Sequence, residues 1–307
     1  MGPSPDRSIA GAGTDAVREL AVTHDTTTVY NARVAIACHV AHLTPRGSAR
    51  QEVSESSLVI EPAPSQQSSA VDAFGNVRHC FALYAPHERL FVRATCRVRL
   101  HPAPPPDAAA TMPWDEVAAR LRYRAAAAFE PATEFVYASP FVPMLAELRA
   151  YALAAFASGR PLLDGAIALM RRMHADFRYE SGATRISTPL AEVYAQRRGV
   201  CQDYAHVMIG CLRALGLPAR YVSGYLLSDA PTEGERLLGA DASHAWVSVW
   251  CPPAGWVDLD PTNDVLVDTG HVTLAAGRDY GDVMPLRGVI QGGGEHTLSV
   301  AVSVAAR

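Results

Sequence analysis

Between Leu20 and Leu100 hydrophobic and polar residues alternate in short β-rich runs: Thr26–Tyr30, Ala32–Val40, Ser57–Ile60, Asn76–Leu83 and Leu90–Leu100, with Ala73-Phe-Gly-Asn76 as a turn. Alternation of this kind fits a sheet with one buried and one solvated face, so residues 18–101 are expected to form an all-β domain. His101-Pro-Ala-Pro-Pro-Pro-Asp107 continues neither a central strand nor a helix, because proline lacks the amide donor and fixes its own φ. It marks a Pro-rich linker over 102–112. Beyond it the spacing turns helical. Pro113-Trp-Asp-Glu opens a run through Ala128, Met144–Ser158 carries Leu145, Leu148, Leu153 and Phe156, and Leu162–His174 has its own apolar face.

A further helix is expected to begin near Cys201, since Tyr204, Met208, Cys211, Leu212 and Leu215 fall on one stripe and Gly216 and Pro218 end it. Strand-like runs follow: Ala219–Leu227, then, after a polar loop Ser228–Ala240, His244–Trp250, a turn at Cys251-Pro-Pro-Ala-Gly255, and Trp256–Asp260. Thr297–Val304 reads as a closing strand. The expected fold class is α+β, with the helix that begins near Cys201 packed on an antiparallel sheet over 113–307. Residues 1–17 are polar and Gly-rich and suit a disordered leader.

With 307 residues the chain has room for two cores, and a net charge of −4 gives no electrostatic case for nucleic acid. The N-terminus lacks a signal-peptide pattern, and no apolar run is long enough to span a bilayer, so a cytoplasmic protein without a membrane partner is expected. The six cysteines are far apart, with no C-x-x-C pair, which favours reduced thiols and no structural zinc. No cofactor is expected.

A thiol acts as a nucleophile only as its thiolate, which a helix N-terminus favours, and Cys201 stands there behind Gly199. Cys38, Cys80, Cys96 and Cys211 read instead as small buried hydrophobes. A nucleophilic cysteine needs a base and the base an orienting acceptor. If the runs flanking Cys251–Gly255 form a hairpin with Trp250 opposite Ala254 or Trp256, His244 lies opposite Asp260 or one pair off, on the same face. Cross-strand partners are about 5 Å apart at Cβ, within reach of an imidazole–carboxylate bond. Asp258 shares the parity of Asp260, so geometry alone leaves both open. His206, five residues after Cys201, points about 140° away around the helix and reads as structural.

Four ordered blocks also resemble the core of the bacterial transglutaminase-like superfamily: Gly199-Val-Cys-Gln-Asp-Tyr-Ala-His206, Leu212–Tyr225, Asp241-Ala-Ser-His-Ala-Trp246 and Gly255-Trp-Val-Asp-Leu-Asp-Pro-Thr-Asn263. His24–Leu100 resembles the β-rich N-terminal domain that accompanies such cores, and Gly277-Arg-Asp-Tyr-Gly-Asp-Val283 their C-terminal stretch. The resemblance implies a papain-like triad of Cys201, His244 and Asp260 and so selects Asp260 over Asp258. Gln202 stands where tissue transglutaminases carry tryptophan, so their amine-acceptor tunnel is not implied.

The expected reaction is attack of Cys201 on a peptide or side-chain amide carbonyl, through a thioester, in a transglutaminase-like hydrolase or acyltransferase. Gln202, Tyr179 and Trp246 are candidates for the oxyanion or substrate cleft, and the Cys201 amide is the first oxyanion donor. Arg278, Asp279 and Asp282 could line the cleft but read rather as a solvated face or an ion pair. Two alternatives are a protein-glutamine cross-linker and a non-catalytic binding module on the same fold. The expected partners are a peptide or protein substrate and, at the β domain, a protein.

Overall fold

A computed structural model describes residues 16–125, 128–227 and 243–307. The expected loop 228–240 and nearly all of the leader lie outside these. The chain opens on β1 (Arg18–Thr44), a strand of 27 residues in which the two expected runs are joined. Its first half alternates strictly: Leu20, Val22, His24, Thr26, Thr28 and Tyr30 are buried and the residues between them are less so. β2 (Gln51–Glu61), β3 (Gln66–Val71), β4 (Val77–Leu83) and β5 (His87–Leu100) follow. β3 escapes the sequence pattern because all six of its residues are exposed.

The helical region holds α1 (Trp114–Arg120), α2 (Ala146–Leu153), α3 (Leu162–Asp176), β6 (Arg178–Tyr179), α4 (Leu190–Gln196), β7 (Arg198–Gly199) and α5 (Cys201–Ala214). α1 stops well short of Ala128; Tyr123, beyond its end, is 88% exposed, so its ring adds no burial that would extend the helix. β8 (Ala219–Leu226), β9 (Ser243–Cys251), β10 (Gly255–Asp260), β11 (Val265–Leu266), β12 (His271–Gly277), α6 (Tyr280–Val283), β13 (Leu286–Gly292) and β14 (His296–Ala306) complete the chain. No described helix is long and apolar enough to cross a membrane.

Two compact units emerge. One comprises 102–221 and 246–268. Its hub is α5, which packs against α2, α3 and α4 and is buried from Asp203 to Arg213. Gly210 permits that closeness, because a Cβ there would meet Leu148 Cδ1 of α2 at 2.6 Å. At the helix end the buried Arg213 guanidinium donates to the carbonyls of Phe135 (3.0 Å) and Ala219 (2.9 Å) and to Ser139 Oγ (3.0 Å). Gly216, at φ +79°, supplies the left-handed residue after α5.

The other unit comprises 17–101, 269–307 and the described parts of 222–245. β1 is its spine. β5 pairs with the first half of β1 and β4 with the second, with β2 on β5 and β3 on β4. β13 and β14 pair with β1 as well, so the closing strands join this unit although the sequence boundary set them in 113–307. The core gathers Leu20, Val22, Val92, Val98 and Leu100 with Tyr225, Val272 and Leu274, each large aliphatic contributing about 1.5–3 kcal/mol. His24 enters this core by bonding its Nδ1 to the Tyr225 hydroxyl at 3.0 Å. A five-stranded sheet runs β11-β10-β9-β8-β12.

Candidate active site

Cys201 is the first residue of α5 and is half-buried, whereas Cys96, Cys211 and Cys251 are buried. Cys80 is intermediate, and Cys38, expected in the core, is exposed. Its neighbour Ala37 takes the inward position on β1, which turns Cys38 outward. Val200 precedes the helix in an extended conformation, and its carbonyl accepts the amides of Asp203 (2.9 Å) and Tyr204 (3.2 Å). Asp203 answers by accepting the Val200 N–H at 2.8 Å, half of a capping box. The Cys201 amide, at the first helical position, has no intrahelical acceptor.

β6 runs parallel to β7, with Tyr179 beside Gly199 and Arg178 beside Arg198. Tyr179 thus stands next to the chain that leads into Cys201, with 43% of its surface exposed. Gln202 is half-buried on the first turn of α5. Before β7, Arg197 (φ 53°) lays its guanidinium over Tyr194 at 4.0 Å, Tyr151 at 4.6 Å and Phe177 at 4.9 Å, which anchors the left-handed turn. His206 is buried between Tyr221 (5.0 Å) and Phe141 (5.7 Å), and burial lowers its pKa to about 3. A permanently neutral imidazole suits the structural role.

The β9–β10 hairpin pairs Cys251 with Gly255, Trp250 with Trp256, Ser248 with Asp258 and Val247 with Leu259. Carried one step on, this register sets Trp246 opposite Asp260, and His244 stands one same-face position further along β9. Trp246 is fully buried and its indole N–H donates to Asp258 Oδ2 at 3.4 Å. Asp260 is also fully buried; Oδ1 accepts the Thr262 amide at 3.0 Å and Oδ2 the Asn263 side-chain amide at 2.6 Å. The Pro-Thr-Asn263 tail of the block therefore fixes the carboxylate's orientation. His244 is 8% exposed, and its ring centroid lies 6.2 Å from that of His271 on β12, itself 5% exposed. His271 and Asn263 were not among the sequence candidates. Asn263 sits inside a recognised block, whereas nothing in the pattern around His271 sets it apart. Arg278 forms a two-pronged pair with Asp282 at 2.9 and 3.0 Å, and Asp279 caps α6.

The profile of the transglutaminase-like superfamily matches residues 149–261, and that of the bacterial transglutaminase-like N-terminal region matches residues 20–99. An uncharacterized protein of Mycobacterium tuberculosis is 41% identical over 291 residues, covering 92% of this chain and 91% of its own. This chain belongs to the transglutaminase-like superfamily. A Cytophaga hutchinsonii protein crystallised as a candidate cysteine protease shares the fold, with a TM-score of 0.72 at 18% identity over 95% of this chain and 91% of that one. A protein-glutamine gamma-glutamyltransferase of Pseudomonas aeruginosa is 37% identical over 133 residues, 40% of this chain and 20% of its own length. The superfamily core, in this chain, comprises α2 to β10 and so includes Cys201, His244 and Asp260.

Proposed function

We propose that the protein hydrolyses peptide or side-chain amides through a thioester on Cys201, with His244 as acid and base and Asp260 as its orienter. The observation that carries this reading is the placement of Cys201: a half-exposed thiol at the first turn of a buried helix, where unpaired backbone N–H groups favour a thiolate. Its sulfur attacks the carbonyl carbon, and the C–N bond breaks as His244 protonates the leaving nitrogen. Water, deprotonated by His244, then attacks the thioester, releases the acid and returns the sulfur as thiolate. The oxyanion of each tetrahedral intermediate is held by the Cys201 amide, with Gln202 and Tyr179 as neighbours of the cleft. Buried Asp260, gripped by Asn263, keeps one orientation for the imidazole.

A second reading is transfer to an amine in place of water, favoured by the glutamyltransferase relative. Benzyloxycarbonyl-Gln-Gly separates the two: ammonia release with benzyloxycarbonyl-Glu-Gly as product marks hydrolysis, and ammonia release with the hydroxamate of added hydroxylamine as the main product marks transfer. Wild type is expected to release ammonia and Cys201→Ala to release none. No turnover of side-chain or peptide amides, together with Cys201 labelling by iodoacetamide no faster than Cys38, would sink the catalytic reading in favour of a binding module.

A further inference from the structure

Asp203 carries a carboxylate two residues after the nucleophile, is 4% exposed, and has no part in the acyl-transfer steps. A buried carboxylate persists only where its oxygens are satisfied. One oxygen, Oδ2, takes two donors here: the Val200 N–H at 2.8 Å and the Thr184 hydroxyl at 2.6 Å. Val200 is the residue directly before Cys201. Thr184 belongs to the segment 180–189 that connects β6 to α4, so a single atom joins that segment to the nucleophile turn.

The segment has little else to hold it. Between its two ends its other hydrogen bonds are local, Ala183 to Glu180 at 3.3 Å and Arg185 with Thr188 at 2.9 Å. Glu180, at its start, is held by its N–H to the Gly199 carbonyl and by the Arg198 guanidinium at 3.3 Å, and Pro189, at its end, accepts from Glu192 and Val193 of α4. Ile186 is 53% exposed and Tyr179, at its base, 43%. Gly199 is required for the junction, since a Cβ there would meet the Asp203 side chain at Cβ (2.7 Å) and Cγ (2.8 Å). The chain thus gives up a side chain beside the nucleophile so that the carboxylate can sit against the backbone.

We infer that Asp203 is a positioning residue that locks the 180–189 segment onto the nucleophile turn, and that this segment forms the wall along which an extended peptide substrate lies. The second half rests on the proposed acyl-transfer function. The Arg185–Ile186 bond reports on the lock without any turnover, because trypsin cuts an exposed bond faster once the segment is free to detach and adapt to the protease cleft. In the full chain, Thr184→Val removes the hydroxyl at nearly constant size. It is expected to raise cleavage after Arg185 about tenfold, the effect of losing one charge-assisted hydrogen bond. Thr184→Ser, which keeps the hydroxyl, is expected to stay within about twofold of wild type, and Asp203→Asn, which keeps an acceptor oxygen but loses the charge, to fall between wild type and Thr184→Val.

On benzyloxycarbonyl-Gln-Gly, Thr184→Val is expected to raise KM about fivefold while kcat and the iodoacetamide rate of Cys201 stay within about twofold. Unchanged cleavage at Arg185 in Thr184→Val overturns the lock, and faster cleavage with unchanged KM overturns the wall. The proteolysis result is independent of catalysis, so it stands apart from failure of the acyl-transfer reading, which wild-type activity on the same probe decides.

Discussion

The Trp246 indole donates to Asp258, while Asp260, two residues on and of the same parity, is held by Asn263 and the Thr262 amide. Two carboxylates that the register alone leaves equivalent thus have different occupations: Asp258 steadies a buried tryptophan, and Asp260 is fully buried with its oxygens held by the residues that follow it. Asp260→Asn is expected to lower kcat on an amide probe about a thousandfold or more, as loss of an orienting carboxylate does in triad enzymes, whereas Asp258→Asn costs less than about tenfold. Steady-state rates of the two purified variants, with melting temperatures as a folding control, decide between the assignments.

Thiol reactivity separates the cysteines. Burial pushes the Cys96 and Cys211 thiols up to about 12 and raises Cys251 as well. At pH 7 iodoacetamide is expected to modify Cys201 and the exposed Cys38 and to spare those three. His244→Ala is expected to slow Cys201 about tenfold and leave Cys38 unchanged, because the proposed reaction gives a base to Cys201 alone. Site-resolved mass spectrometry over a time course reads both rates.

Acid should destabilise the fold in a defined window. Burial lowers His24 and His39 from the usual 6.5 to about 4, and His206 to about 3. The unfolded chain binds protons at these residues from pH 6.5 downward while the folded chain does not, so stability is complete above 6.5 and is lost as pH falls towards 4. His24 alone accounts for on the order of 3 kcal/mol across that window. Melting curves at pH 7 and 4.5 are expected to show a large fall for wild type and a smaller one for His206→Phe, which keeps an aromatic ring between Phe141 and Tyr221.

Asn76 is fully buried and ties two distant stretches of one unit: its Oδ1 accepts the Ala276 amide and its Nδ2 donates to the Ala276 carbonyl, both at 2.8 Å, and to Asp72 at 2.9 Å. Asn76→Ala leaves a buried amide and carbonyl without partners. Denaturant unfolding is expected to show a loss of about 2–4 kcal/mol.

What the sequence displayed plainly was whatever depends on neighbours along the chain. The start of α5 at Cys201 was legible from Gly199 and the Tyr204–Leu215 stripe, and its end from Gly216. Hairpin arithmetic offered two registers, and the structure has Trp250 opposite Trp256, with Gly255 at φ +80° closing the turn. Features that depend on distant partners were hidden. Thr184 meets Asp203 only once α4 has brought the segment back, β3 has no buried face to betray it, and His271 reaches His244 from another strand. The outward turn of Cys38 is set by the register of a strand far longer than its local pattern indicated.

That strand has a consequence for the order in which the molecule can assemble. β1 pairs Leu20 with Ala306 and Ala41 with Leu286, so one of its edges is completed by residues that lie far downstream of it in the sequence. Until they emerge, a long row of amide donors and carbonyl acceptors waits unmatched on a chain already translated, while β5 and β4 are available on the opposite flank. Closure between segments so remote in sequence is slow, so the last step of assembly sets the pace for this unit.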